Sequence, residues 1–172
     1  MEDSNWYFKI NDYLRTLSDY YNVPLVKVAG IMSALSPNNT FRHNIISTEK
    51  FLRTRGDCKV TCFNSQKEKA IRILNADNNV SIEQVKGILG KGLKTRAFFC
   101  NMVQPDNSKA VTVDLWMIRY AKKHKLMPTE GGLTVKRYKT IETHVQSRAN
   151  ELGIMPHQLQ AKIWCEIRGE AF

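Results

Sequence analysis

Apolar residues recur along this sequence with the spacing of an α-helix, and this pattern is the strongest constraint on the fold. At the start of the chain, Trp6, Ile10, Tyr13, Leu14 and Leu17 fall on one face of a helix. Strand-like alternation of apolar and polar residues is almost absent, and so are the Asn-Gly and Asp-Gly pairs that form tight hairpins. We therefore predict an all-α protein.

Proline, glycine and capping residues divide this pattern into successive helices. Pro24 begins one helix, and Asn39 or Thr40 caps the next. Ser65 is a candidate cap for the following helix, and Ser81 begins a segment with the spacing of a capping box. Beyond the first helix, the sequence predicts helices over residues 24–35, 41–54, 66–75, 81–89, 94–102 and 115–124, and near 134–152 and 156–168.

Positive charge is concentrated in one part of the chain. The formal net charge is +10 at pH 7. Between residues 86 and 125 there are nine Lys or Arg and two Asp, a net charge of +7, whereas the two ends of the chain are nearly balanced. A local basic surface favours a polyanionic partner, and double-stranded DNA is the first candidate. A solvated basic face that only aids solubility explains the charge equally well.

The sequence gives no sign of a metal centre, a cofactor or a membrane span. Cys58 and Cys62 form one C-x3-C pair, but no second pair lies nearby to complete a zinc or iron–sulfur site. We therefore expect reduced, buried thiols, no metal and no cofactor. The start of the chain is acidic and amphipathic, and no apolar run has the length of a membrane span. With 172 residues and 42% hydrophobic content, we expect one compact, monomeric, cytoplasmic unit.

The segment GILGKGLKTRAFFC, residues 87–100, places two glycines and several cations between two predicted helices. A turn such as Gly90-Lys91-Gly92 lacks side chains at its glycines and can lay its backbone against another surface. Its free N–H groups, with those of the following helix, form a site for a phosphate oxygen. Lys91, Lys94 and Arg96 add positive charge around that site. A C-cap glycine followed by a glycine needed for packing is the alternative, and the local charge favours phosphate.

This hairpin and the segment VDLWMIR, residues 113–119, resemble two motifs of the helix-hairpin-helix DNA glycosylases of the endonuclease III type. In that family the hairpin L-P-G-V-G-x-K-T-A is followed by V-D-T-H-x-x-R, and this chain has I-L-G-K-G-L-K-T-R and then V-D-L-W-M-I-R. The residues on matching positions are Gly90, Gly92, Lys94, Thr95, Asp114 and Arg119. The resemblance covers roughly residues 22–125, with a weaker match at 164–169. It implies a helix-hairpin-helix glycosylase fold in which 22–125 form the core, 1–21 and 126–172 form a second helical lobe, and a cleft separates them.

The resemblance also implies roles for individual residues. The hairpin, with Thr95 and Arg96, holds a DNA phosphate, and Lys94 and Asp114 face an extruded nucleotide. Breaking an N-glycosidic bond develops positive charge on the sugar, which Asp114 would stabilise. Lys94, if desolvated, would attack C1′ and form a Schiff base that permits strand cleavage. From the residues alone, Asp114 is equally an N-cap for the helix that follows it.

The loop before the third predicted helix is a candidate for DNA contact. Asn38, Asn39, Phe41, Arg42 and His43 form a polar and aromatic segment, which is typical of a wedge that enters the gap left by an extruded base. A plain capping loop explains each of these residues at least as well.

Several functions stay open, because the chain departs from the family pattern. Leu89 and Lys91 replace the hairpin's proline and valine, Leu115 and Trp116 replace the threonine and histidine, and the cysteine quartet of the iron–sulfur members is missing. The chain is also shorter than most repair enzymes of the family, which is typical of a compact version such as phages express in the bacterial cytoplasm. The alternatives to a glycosylase are a non-catalytic DNA-binding module, a phage enzyme for hypermodified DNA bases, and a protein whose basic face binds an acidic host protein.

Overall fold

The computed structural model of the chain describes residues 4–168, and within that range the regular structure is entirely α-helical. This confirms the predicted all-α class. The helices are α1 (Trp6–Tyr21), α2 (Leu25–Leu35), α3 (Phe41–Arg53), α4 (Asn64–Leu74), α5 (Ile82–Leu89), α6 (Leu93–Val103), α7 (Leu115–Lys123), α8 (Val135–Glu151) and α9 (Pro156–Arg168).

Local capping sets most of the helix starts that the sequence predicted. Pro24 precedes α2, and the Thr40 hydroxyl accepts a hydrogen bond from the His43 amide at 3.2 Å, which makes Thr40 the cap of α3. Ser81 forms the predicted capping box of α5. The prediction for Ser65 is wrong. The carbonyl of Phe63 already accepts the first hydrogen bonds of α4, so Ser65 lies inside the first turn.

Helix α2 occupies the middle of one group of helices and packs against α1, α3, α4, α5 and α6. Its residues from 27 to 35 are all buried, as expected for a helix that is apolar around most of its circumference. Gly30 permits this enclosure. A Cβ there would lie 2.7 Å from Val85 Cγ1 and 3.2 Å from Ile73 Cγ2, so the glycine allows α4 and α5 to approach α2 closely.

The remaining helices pack around α9. Helices α7 and α8 contact α9, and α1 contacts α2 and α6 of the first group as well as α9. The first helix therefore joins the two groups. This arrangement positions the segment between α6 and α7, which passes from one group to the other.

No helix within residues 4–168 is long and apolar enough to cross a membrane. The same part of the chain has no group of three His, Cys, Asp or Glu side chains placed to hold a metal ion. The cysteines are free thiols that are only partly buried, which corrects the expectation of buried thiols: Cys58, Cys62 and Cys100 lie at the edge of the core.

Candidate active site

The predicted hairpin connects α5 to α6 and presents its outer side to solvent. Gly90 has φ 88° and ψ −160°, a conformation that side chains strongly disfavour. Gly92 differs, because its φ is −65° and a Cβ there would approach no atom more closely than Thr95 Oγ1 at 3.6 Å. The fold therefore requires glycine at position 90 but not at position 92. Lys91 and Gly92 are exposed, so an external ligand can reach this backbone.

Asp114 ends the extended linker (residues 110–114) that precedes α7. Its Oδ1 atom accepts hydrogen bonds from the backbone amides of Trp116 and Met117, each at 3.0 Å, and from Trp164 Nε1 at 3.2 Å. Asp114 is thus the N-cap of α7, as the sequence suggested. All three bonds go to one oxygen, and none within residues 4–168 goes to Oδ2. The carboxylate is fixed in orientation and keeps one oxygen for another partner.

Three helices distant in sequence hold the linker in place. The hydroxyls of Tyr7 and Thr112 are hydrogen-bonded at 2.9 Å, and Gln160 Oε1 accepts the Thr112 amide at 2.7 Å. Tyr138 donates its hydroxyl to the carbonyl of Val111 at 2.6 Å. Burial raises the pKa of both Tyr7 and Tyr138 well above the ordinary range, so both hydroxyls stay protonated. The position of Asp114 therefore depends on α1, α8 and α9.

Lys94 and Asp114 line one cavity of about 110 Å³. Aromatic rings form much of its wall. The Trp6 ring lies nearly parallel to the Phe98 ring, with 24° between planes, and edge-on to the Trp164 ring at 5.5 Å between centroids. The other residues that line it are Ser36, Asn39, Phe41, Asn44 and Thr112. The cavity thus combines aromatic surface with several hydrogen-bonding side chains, a composition typical of a small-molecule site.

An open groove of about 490 Å³ leads from the hairpin to the same two residues. Lys91 and Gly92 lie at the hairpin end of the groove, and Lys94 and Asp114 line both the groove and the cavity. The remaining lining residues are Leu93, Val113, Leu115, Ile118, Leu133, Thr134, Val135 and Tyr138. The groove and the cavity are therefore adjacent, and Lys94 and Asp114 lie where they meet.

One family model matches residues 1–171, almost the whole chain, and its description is a family of unknown function, DUF7178. The chain belongs to this family. No curated protein and no solved structure matches it. The DUF7178 description assigns no activity, so the geometry of the site is what supports a function for this member.

The structure brings some of the predicted site residues of this DUF7178 member together and leaves others apart. Asn39 joins Lys94 and Asp114 at the cavity. Asn38, Arg42 and His43 are exposed and do not line it. These three therefore remain predictions for contact with DNA outside the cavity.

The residues that follow the hairpin are partly engaged within the protein. The Ser33 hydroxyl donates a hydrogen bond to the backbone carbonyl of Thr95 at 2.7 Å. Arg96 Nε donates to the backbone carbonyl of Lys86 at 3.2 Å. Lys94 is exposed, so the free protein does not provide the desolvation that a nucleophilic amine requires.

Sequence reasoning missed six of the ten residues that line the cavity. It places Trp6 on the core face of α1 and assigns no site role to Ser36, Asn44, Phe98, Thr112 or Trp164. One signal was available for Asn44, because it is a polar residue at helical spacing with the buried face of α3. The others carry no local signal, since four separate helices and the linker bring them together.

Proposed function

We propose that this protein binds duplex DNA through its hairpin and acts as a DNA N-glycosylase on an extruded base. One observation carries the proposal: Lys94 and Asp114 line a single aromatic cavity, and both also line an adjacent groove that includes Lys91 and Gly92 of the hairpin. An enzyme that removes a base needs a phosphate anchor, a base pocket and a carboxylate between the two.

The hairpin supplies the anchor. The exposed backbone of Lys91 and Gly92 is followed directly by the N-terminus of α6, whose first N–H groups have no helical partner. A phosphate oxygen is a suitable acceptor for these groups, and the Lys91 and Lys94 ammonium groups add attraction that does not depend on sequence. The net charge of +7 between residues 86 and 125 also favours DNA as the partner.

Asp114 supplies the chemistry in this proposal. With the base in the cavity, its sugar lies at the boundary between cavity and groove, where Asp114 is found. As the bond from C1′ to the base breaks, its electron pair passes to the base nitrogen and positive charge develops on the sugar. Asp114 stabilises that charge and accepts a proton from the water that attacks C1′. The products are the free base, which takes up a proton, and an abasic site.

The test uses Asp114→Asn, because asparagine caps helices as well as aspartate does and the fold should survive. We expect base release to fall about 100-fold or more with DNA affinity unchanged, the scale of a lost electrostatic stabiliser. Duplexes with damaged, mismatched and phage-type modified bases form the substrate panel. Ser81→Ala is the matched control, since it removes the cap of α5 without touching the cavity and should leave base release unchanged.

Lys94 is tested separately for a covalent route. If its amine replaces water as the nucleophile, borohydride will trap a complex with abasic DNA in the wild type but not in Lys94→Gln. A trapped complex makes the protein a glycosylase with lyase activity. Its absence, with base release intact, leaves the water route.

A second function, a DNA-binding module without catalysis, is favoured by two observations. Two hydrogen bonds to Oδ1 cap α7 and a third comes from Trp164, so Asp114 has a structural role without any catalysis, and Lys94 is exposed. In that case no duplex of the panel loses a base and borohydride traps nothing. Binding to DNA would then be the whole function, and Asp114→Asn would leave it unchanged.

A further inference from the structure

The hydroxyl of Thr112 ends a chain of buried hydrogen bonds, and Thr112 also lines the cavity. Its oxygen lies 2.9 Å from the Tyr7 hydroxyl, and Asn101 Nδ2 donates to it at 3.4 Å. The Ser108 hydroxyl donates to Asn101 Oδ1, so Nδ2 is the end of that amide that faces Thr112. A hydroxyl has one hydrogen to donate and two lone pairs that accept. The direction of the bond to Tyr7 therefore decides where the Thr112 hydrogen points.

The burial of Tyr7 sets that direction. Tyr7 is 0% exposed, and within residues 4–168 the Thr112 oxygen is the acceptor that its hydroxyl reaches. If Tyr7 accepted this bond instead, its own hydrogen would be buried without a partner, which is costly. Burial also raises the pKa of Tyr7, so the phenol keeps its hydrogen. Tyr7 is thus the donor and Thr112 the acceptor.

The two incoming bonds leave the Thr112 hydrogen without a protein acceptor. Tyr7 and Asn101 together occupy both lone pairs of the Thr112 oxygen, and within residues 4–168 this hydroxyl donates to no other group. Thr112 is only 3% exposed, and the space that it lines is the cavity. The hydroxyl hydrogen is therefore available to a ligand in the cavity, two residues before Asp114.

We infer that Thr112 donates this hydrogen bond to the departing base and is a further catalytic residue of the proposed reaction. As the bond from C1′ breaks, its electron pair passes to the base, and negative charge spreads over the ring nitrogens and carbonyl oxygens. A donor that is already fixed in place stabilises this charge, while Asp114 stabilises the positive sugar. Thr112 keeps its proton, because an alcohol is a weaker acid than a base, and the free base takes its proton from water. The inference rests on the proposed function.

The first experiment uses the protein without DNA. NMR of the labelled protein at low temperature measures how fast hydroxyl hydrogens exchange with water, and Tyr7→Phe and Thr112→Val assign the two signals. We expect the Tyr7 hydrogen to exchange slowly and to lie close to the Thr112 methyl group. The Thr112 hydrogen, which faces the cavity, should exchange fast. A slowly exchanging Thr112 hydrogen, or a rapidly exchanging Tyr7 hydrogen, overturns the inference whatever DNA does.

The second experiment measures base release in two variants that differ only in the Thr112 hydroxyl. Tyr7→Phe is compared with the double variant Tyr7→Phe/Thr112→Val, because neither leaves a buried phenol hydrogen unpaired. We expect the double variant to release the base about 10-fold more slowly or worse, the loss of a donor to developing charge. Tyr7→Phe/Thr112→Ser keeps the hydroxyl and should release the base as fast as Tyr7→Phe does.

The leaving group separates a catalytic hydroxyl from a structural one. A ring-fluorinated analogue of the released base carries negative charge more easily, so the loss caused by valine should be smaller for the analogue. An equal loss for both bases, or no loss, overturns the inference while base release by the wild type still supports the proposed function. If the wild type releases no base from any duplex, the proposed function fails, and the catalytic role of Thr112 fails with it.

Discussion

Tyr138 offers the sharpest test of how the site is built. Its hydroxyl donates to the carbonyl of Val111 at 2.6 Å and accepts from the amide of Val113 at 3.4 Å. All three residues are buried, with 4%, 0% and 1% of their surface exposed, respectively. Tyr138→Phe removes one oxygen atom and leaves both backbone groups of the linker without a partner and without access to water.

The expected loss of stability follows from these two bonds. A buried group left unsatisfied costs about 1–3 kcal/mol. The Val111 bond is short and counts fully, whereas the Val113 bond is long and contributes less. We therefore expect a total of about 2–4 kcal/mol in the free energy of unfolding. At about 2–4 °C per kcal/mol for a chain of this size, the melting temperature should fall by roughly 5–12 °C.

Urea denaturation followed by circular dichroism measures this directly. The midpoint should fall while the slope m stays unchanged, because the surface exposed on unfolding is the same. Tyr20→Phe is the matched control: Tyr20 is 80% exposed, so the change should stay within about 0.5 kcal/mol. If Tyr138→Phe shifts the midpoint no more than Tyr20→Phe does, the hydroxyl does not hold the linker and our explanation of the Asp114 position is wrong.

Other predictions concern the hairpin and one buried histidine. Gly90→Ala should cost about 1–3 kcal/mol in stability because of its positive φ, whereas Gly92→Val should leave the melting temperature nearly unchanged and still weaken DNA binding in a filter or anisotropy assay. Lys91→Ala should reduce the slope of log K against log salt by about 0.9, and an unchanged slope would exclude a phosphate contact. Burial lowers the pKa of His157, whose Nε2 lies 2.8 Å from the carbonyl of Pro105. The unfolded state then binds more protons below about pH 6.5, so stability should fall as the pH drops through that value, and His157→Gln should remove this part of the dependence.

Much of the fold follows from local signals in the sequence. Ser81 and Asp114 cap their helices through hydrogen bonds to amides two or three positions away, and Gly90 ends α5 through its own backbone conformation. Such interactions lie within a few residues, so the sequence displays them directly. The prediction that Ser65 caps α4 is wrong because residues that can cap a helix also occur inside its first turn. Only the backbone conformation decides which residue begins the helix.

The candidate site likewise has one part that the sequence predicts and one part that it does not. The hairpin glycines, Lys94 and Asp114 have a recognisable spacing, and the resemblance predicts that Lys94 and Asp114 face one cleft. It does not predict the hydrogen-bond partners of Asp114. Trp164, for example, donates to Asp114 from the other end of the chain, and nothing in the spacing of the two residues predicts this contact.

The sequence by itself determined the helical class, most helix boundaries, the hairpin and the concentration of positive charge, because each depends on composition or on neighbours within one turn. Only the tertiary structure decided which side chains form the cavity. Asn44 becomes an unpaired buried amide there because α3 packs against α1 and α2 with that face inward. Thr112 and Asp114 reach the same cavity because Tyr7, Gln160 and Tyr138 fix an extended linker. These contacts join segments far apart in the chain, and the physical reason that the sequence does not show them is that packing, not spacing, creates them.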